Sequence, residues 1–217
     1  MKILVTGGNG KLPKKLKELN GDKYLTPTKE ELNLLDKESI KNFFEHNQDI
    51  EGIIFSATLY PGQDMVHTED WFNDDNLKII NDSFNLNYTA IGQLIHLYKD
   101  KLKFVIGLTT GMIDHSSQNQ CCPLYILGKE VMKNTIERFS YNLQLRHIKM
   151  FNLNPGPMND SDEYQKHSII LDNITNNIDK INSGELAKKY KTDKKIFDGV
   201  KCVCPSNKNC FNVVLYL

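Results

Sequence analysis

Tyr125 and Lys129 are separated by Ile126, Leu127 and Gly128. On an α-helix that spacing sets a phenol and an ammonium on one face, one turn apart. A free tyrosine ionises near ~10, too high for acid–base work at neutral pH. A lysine ammonium a few ångströms away favours the phenolate and draws that value down. Upstream, Thr109 and Thr110 end an apolar run, where either hydroxyl can hydrogen-bond a carbonyl oxygen lying beside the phenol. The four residues read as a candidate acid–base centre; the plainer reading of Tyr125 and Lys129 is an ordinary exposed helix pair.

Such a centre works only if the chain brings its parts to one edge. Residues 2–6 (KILVT), 24–28 (YLTPT), 52–57 (GIIFSA), 103–108 (KFVIGL) and 144–153 (QLRHIKMFNL) are apolar runs of strand length. Residues 11–20, 37–46, 81–98 and 124–141 carry apolar side chains at helical spacing, as with Leu12, Leu16 and Leu19. Strands alternating with helices predict an α/β fold, a doubly wound parallel sheet with helices on both faces. The helix bearing Tyr125 then follows the strand that ends at Thr109. Beyond residue 156 the pattern is less regular. Residues 171–182 keep an Ile/Leu period and predict a helix, while 195–199 (KIFDG) and 212–217 (NVVLYL) each predict a short strand. No repeat or linker divides the chain, so residues 1–217 are expected to form one domain.

The N-terminal strand runs into Gly7, Gly8 and Gly10 and then into a helix. Gly7 and Gly10 follow a G-x-x-G spacing, which lets a backbone turn tightly and approach a pyrophosphate whose charge the helix N-terminus favours. A third glycine of that pattern would fall at Pro13, and proline is tolerated in a helix's first turn. The alternative is a glycine-rich βα turn that holds nothing. The strand at 24–28 ends without the acid that would bind a ribose 2′-hydroxyl, and no carboxylate comes before Glu30. Thr28 and Lys29, with Lys11, could instead accept a 2′-phosphate, which favours NADP over NAD.

Composition narrows the classes of partner. The 27 basic and 27 acidic residues cancel, and charges of both signs are mixed along 14–23, which argues against nucleic acid. No apolar run approaches the ~20 residues of a membrane span, and the N-terminus lacks a secretion signal, so a cytoplasmic protein is expected. The five cysteines, Cys121, Cys122, Cys202, Cys204 and Cys210, show no metal-ligand spacing; no metal is expected and the thiols are expected reduced.

With these motifs in place, residues 1–158 resemble the short-chain dehydrogenase/reductase family. Thr6–Gly10 (TGGNG) is similar to its TGxxG turn, Ser56–Ala57–Thr58 stands where its post-strand NAG segment falls, Tyr125 and Lys129 match its YxxxK pair, and Asn154–Pro155–Gly156 matches its N/R-P-G turn. Asn85–Thr89 (NLNYT) resembles its N-V-N-x-T helix motif. The stretch 25–44 looks most like nucleotide-sugar members such as dTDP-4-dehydrorhamnose reductase. The resemblance implies a Rossmann-like fold and a cofactor cradle of Gly7, Asn9, Gly10, Lys11, Leu12, Thr28, Asn33, Leu34, Ser56, Ala57, Lys129, Pro155 and Gly156. It implies that Tyr125 acts as acid–base, Lys129 lowers its pKa, Thr109 or Thr110 orients the substrate oxygen, and Asn85 holds a proton-relay water. The expected function is NAD(P)-dependent reduction of a carbonyl or oxidation of a hydroxyl, with a nucleotide sugar as one candidate substrate; the alternative is a catalytically silent cofactor-binding scaffold or regulator. A homodimer or homotetramer through 81–98 and 124–141 is implied as well, and residues 157–217 would form a short substrate-side segment.

Overall fold

A computed structural model describes residues 1–59, 74–110, 113, 123–155, 160–178, 200–203 and 210–215, the last two segments as backbone. The N-terminal apolar run forms β1 (Lys2–Val5), with Ile3, Leu4 and Val5 wholly buried. It leads through the glycine turn into α1 (Lys11–Leu19), then to β2 (Tyr24–Leu25), α2 (Lys37–His46) and β3 (Ile50–Phe55). Helices α3 (Asp74–Phe84) and α4 (Ala90–Tyr98) are joined by a π-helical turn at Asn85–Thr89. β4 (Phe104–Leu108), α5 (Pro123–Ser140), β5 (Lys149–Asn154), α6 (Ser161–Asn176), β6 (Val200–Val203) and β7 (Cys210–Leu215) complete the order.

All these strands form one sheet in the order β2-β1-β3-β4-β5-β7-β6. β2, β1, β3, β4, β5 and β7 are parallel, and β6 is antiparallel to β7 at the edge. The chain steps from β1 out to β2 and then crosses to β3 on the other flank of β1. Winding therefore reverses at β1, and a crevice opens beyond the carboxyl ends of β1 and β3. Successive strand residues face opposite layers. Ile3, Val5, Ile54, Ile106 and Phe151 pack with Leu12 and Leu16 of α1 and Leu171 and Ile174 of α6. Leu4, Ile53, Val105 and Met150 pack with Ile40 of α2, Ile91 and Leu94 of α4, and Met132 and Ile136 of α5. The doubly wound α/β fold expected from the sequence is the one observed.

Several boundaries differ from expectation for identifiable reasons. β2 is two residues long rather than five, since Pro27 has no N–H to give to a ladder. The run 144–153 divides into a 3-10 turn (Leu143–Leu145) and β5. The helix expected at 81–98 already begins at Asp74, and the one expected at 171–182 begins at Ser161, behind a capping box in which Asp160 and Glu163 bond each other's backbone N–H. Residues 195–199, Gly111 and Gly156 lie outside the described residues.

A polar cluster ties α6 to the start of β2. Lys23 Nζ donates to Asp172 Oδ1 at 2.7 Å, Thr175 Oγ1 at 2.8 Å and Asn176 Oδ1 at 2.6 Å, and the Tyr24 hydroxyl donates to Asp172 Oδ1 at 2.7 Å. Burial works against the Asp172 carboxylate, yet Lys23 and Tyr24 hold its pKa below the usual value. Burial, first of all, pushes the Tyr24 hydroxyl far up, so it stays a donor.

Candidate functional site

The turn after β1 is held by main-chain bonds. Gly7 adopts φ 78°, and a Cβ there would lie 2.9 Å from Ala57 Cα, so β1's end and the segment after β3 meet backbone to backbone. Gly10 N–H donates to the Gly7 carbonyl at 2.8 Å and closes the turn. Thr6, fully buried, accepts from the Ser56 and Ala57 N–H groups at 3.0 Å each and thereby fixes the crevice wall. Gly10 is the N-cap of α1 with extended backbone; it supplies no side-chain cap, and the first turn holds no acid. The helix's positive end and the Lys11 and Leu12 amides thus face the crevice without a built-in counter-charge, while Asn9, Gly10 and Lys11 are exposed beside them. This cradle suits the pyrophosphate of a dinucleotide. The Leu12 side chain itself is in the core, so only its backbone can serve there.

Tyr125 and Lys129 lie on the first turns of α5 and face each other, Lys129 Nζ being 5.7 Å from the Tyr125 ring centroid. Tyr125 is half-buried. Lys129 is 4% exposed, donates to the Leu108 carbonyl at 2.8 Å, and burial pulls its pKa down from 10.5 to about 8. That bond ties the pair to the carboxyl end of β4, the same edge as the glycine turn. The two threonines there separate by role. The Thr109 hydroxyl donates to the Leu153 carbonyl at 3.2 Å and is buried, joining β4 to β5, whereas Thr110 is half-exposed at the strand's end.

The asparagine motif is phased differently from its sequence reading. Asn85 is exposed, its Oδ1 accepting from Thr89 Oγ1 at 3.5 Å. Asn87, two residues on, is 1% exposed; its Nδ2 donates to the Ser83 carbonyl at 3.0 Å, and its Oδ1 has no hydrogen-bond partner among the described residues. A Cβ at Gly128 would lie 3.1 Å from Asn87 Nδ2 and closer still to Ser83 Oγ, so the π turn packs against the stretch of α5 between Tyr125 and Lys129. π turns concentrate at functional sites. The sequence singled out Asn85 of this motif; in the structure Asn87 is the buried asparagine and Asn85 the exposed one.

Beside the glycine turn, the Pro27 carbonyl accepts from Gly8 N–H at 3.0 Å, which sets the loop after β2 against that turn. Thr28 N–H donates to Glu31 Oε2 at 2.7 Å. The Glu30 carboxyl is held below the usual range by its own backbone N–H, then by the Thr28 hydroxyl, with Lys29 adding attraction. Asn33 Oδ1 accepts from Leu35 N–H at 3.2 Å, and Leu34 is half-buried beside it. The Lys11 ammonium lies 5.4 Å over the Tyr164 ring of α6. Pro155 is buried, and its carbonyl is met by Nε2 of the buried His167, whose Nδ1 faces the Glu163 carbonyl at 2.6 Å. Thr6, Asn87, Tyr164 and His167 were not among the residues nominated from sequence. The capping box at Asp160 was the available signal for the last two.

The topology is that of a Rossmann-like α/β protein. No protein-family profile and no curated protein matches the chain. Solved structures do match. A doubly substituted short-chain dehydrogenase/reductase of Serratia marcescens superposes with TM-score 0.59 at 13% identity, over 80% of this chain and 88% of that one. A carbonyl reductase of Pseudomonas aeruginosa PAO1 in complex with NADP gives 0.58 at 14%, over 79% and 91%. The protein lin1944 of Listeria innocua gives 0.58 at 15%, over 79% and 92%. At these identities the likeness is one of fold. None of the three is named as a nucleotide-sugar enzyme. Among the described residues, no helix is long and apolar enough to cross a membrane, and no group of three His, Cys, Asp or Glu side chains could hold a metal.

Proposed function

We propose that the protein is an NAD(P)-dependent oxidoreductase of the short-chain dehydrogenase/reductase type, acting on a carbonyl or hydroxyl of a small molecule. The observation that carries the reading is the phenol–ammonium pair of Tyr125 and Lys129 anchored at the carboxyl end of β4, on the edge that also holds the glycine turn. Gly7, Asn9, Gly10, Lys11, the Leu12 amide, Ser56, Ala57 and Pro155 would hold the dinucleotide, which supplies the hydride in reduction. Tyr125 donates its proton to the substrate oxygen, or takes one in the reverse direction. Lys129, charged below about pH 8, favours the phenolate. Thr110 rather than Thr109 orients the substrate oxygen, because Thr109 is buried between β4 and β5 while Thr110 is half-exposed at the strand's end. Asn87 rather than Asn85 serves the proton path, since its carboxamide is the buried one, with its nitrogen against Gly128 of α5 and its oxygen without a hydrogen-bond partner among the described residues.

Tyr125→Phe separates an enzyme from a silent cofactor-binding protein. On a panel of carbonyl compounds that includes a 4-keto nucleotide sugar, the variant should lose turnover at least 100-fold while binding dinucleotide as before. Equal turnover by both proteins would remove the proposed acid. The described part of the chain also carries Leu77, Phe84 and Tyr88 exposed at helical spacing on α3 and the π turn. That stripe supports a homodimer through these helices and α5. Sedimentation at micromolar concentration should give a dimer that Phe84→Glu converts to monomer; a monomeric wild type would dismiss it.

A further inference from the structure

We infer that the outer edge of β2 is a docking site for an extended, lysine- or arginine-rich segment of another protein, which joins the sheet there as an added strand. β2 ends the sheet and pairs with β1 alone, through Ile3–Tyr24 and Leu4–Leu25. The doubly wound order 3-2-1-4-5-6 sets two strands on that side of the first strand, whereas this chain sets one. After Leu25 the chain leaves the sheet at Pro27, makes the turn closed by the Leu32 N–H on the Thr28 carbonyl at 2.9 Å, and enters α2. A groove of about 800 Å³ lies where a second strand would run. It follows β2 from Gly21 and Asp22 to Glu30 and Glu31, between Lys17 of α1 and Asn42 of α2. An edge strand offers main-chain N–H and C=O groups that an incoming chain can pair.

The groove's walls define the chemistry of the segment. Strand alternation sends Tyr24 into the layer of α1 and α6 and Leu25 towards α2 and α4. Tyr24 is buried, but Leu25 is only half-buried, and Phe43 of α2 lines the groove with it. Alternate apolar side chains of an added strand would cover these two. Asp22, Glu30, Glu31, Asp36 and Glu38 also line the groove; all five are exposed, and among the described residues none is in an ion pair. The lysines against them are Lys2 and Lys17, and Lys2 is already paired with Asp49 at 3.2 Å. A second copy of this chain would bring the same five carboxylates to the same edge, and like charges set across a strand pair repel. A basic segment meets opposite charge along the whole groove, which favours encounter and fixes register.

The test uses nitrogen-15-labelled full-length protein and a short synthetic peptide alternating lysine and valine, blocked at both ends. Its controls are the glutamate–valine counterpart and the lysine–valine peptide with every amide N-methylated. Wild type should bind the lysine peptide with a Kd below about 100 µM at low salt and at least tenfold more weakly at 0.5 M salt. Amide shifts should concentrate in residues 22–31 and 36–47. N-methylation removes the ladder donors and should cost at least tenfold, and the glutamate peptide should leave the spectrum unchanged. Asp22→Lys/Glu30→Lys reverses two exposed charges; it should melt within a few degrees of wild type and bind the lysine peptide at least tenfold more weakly. A wild type that binds no lysine peptide overturns the inference and leaves an edge that its short strand and Pro27 only blunt. Binding that N-methylation or the double variant leaves unchanged also overturns it, since that is charge attraction without strand addition. A dimer whose amide shifts map to β2 would make a second copy the occupant and overturns it as well. None of these outcomes depends on dinucleotide binding or on Tyr125.

Discussion

Replacing Lys129 by methionine should stabilise the ligand-free protein at neutral pH while removing the acid–base chemistry proposed for it. Folding takes this ammonium out of water, leaving it 4% exposed with one carbonyl partner, Leu108. Burial lowers its pKa from 10.5 to about 8. Between those values the unfolded chain holds the proton and the folded protein does not, so stability rises with pH across the window and is lost as pH falls through about 8. The gap corresponds to about 3 kcal/mol at pH 7, of which less than half remains at pH 9.5. Methionine also orphans the Leu108 carbonyl, at a cost of about 1 kcal/mol. The variant should therefore exceed wild type by roughly 2 kcal/mol at pH 7 and by about zero at pH 9.5. Urea unfolding of both proteins at pH 7, 8 and 9.5 measures this, and the difference between them cancels the other titrating side chains. A difference that is the same at every pH would refute a buried, destabilising ammonium at this position.

Two further substitutions probe the same edge. Asn87→Leu exchanges a buried carboxamide, whose oxygen lacks a partner among the described residues, for an apolar group of similar size; the melting temperature should stay within a few degrees while kcat falls at least tenfold. Gly7→Ala forces a side chain into φ 78° and within 2.9 Å of Ala57 Cα, and should lower stability by about 3 kcal/mol in a urea titration, with dinucleotide binding weakened in step.

Much of the fold was legible because its strands are buried on both faces. KILV, GIIF and FVIGL are continuous apolar runs, and α2 and α4 carry the 3.6-residue stripe that packs on them. The start of α6 was less so: its apolar positions are diluted by Asp162, Glu163, Gln165, Lys166 and His167, and the information lies in the cap at Asp160 instead of in periodicity. The site was legible as a set of motifs but not as orientations. Asn85 and Asn87 look equivalent in sequence, yet two residues apart on a helical turn they face opposite sides, and Asn87 is the one inside. Thr109 and Thr110 are adjacent hydroxyls, and strand alternation turns one towards β5. Thr28 was nominated for its own chemistry, whereas the turn that follows lends it two carboxylates from Glu30 and Glu31.

The Lys23–Asp172 ion pair closes a loop of 149 residues, and Leu171, Ile174 and Ile178 cover the same layer as Leu12 and Leu16. On the ribosome, the first βαβ segment must wait until α6 has been made before its outer surface is sealed. A nascent or proteolysed fragment ending before residue 160 would expose that greasy surface next to an uncompensated lysine. It would be a substrate for chaperones rather than a minimal folded module.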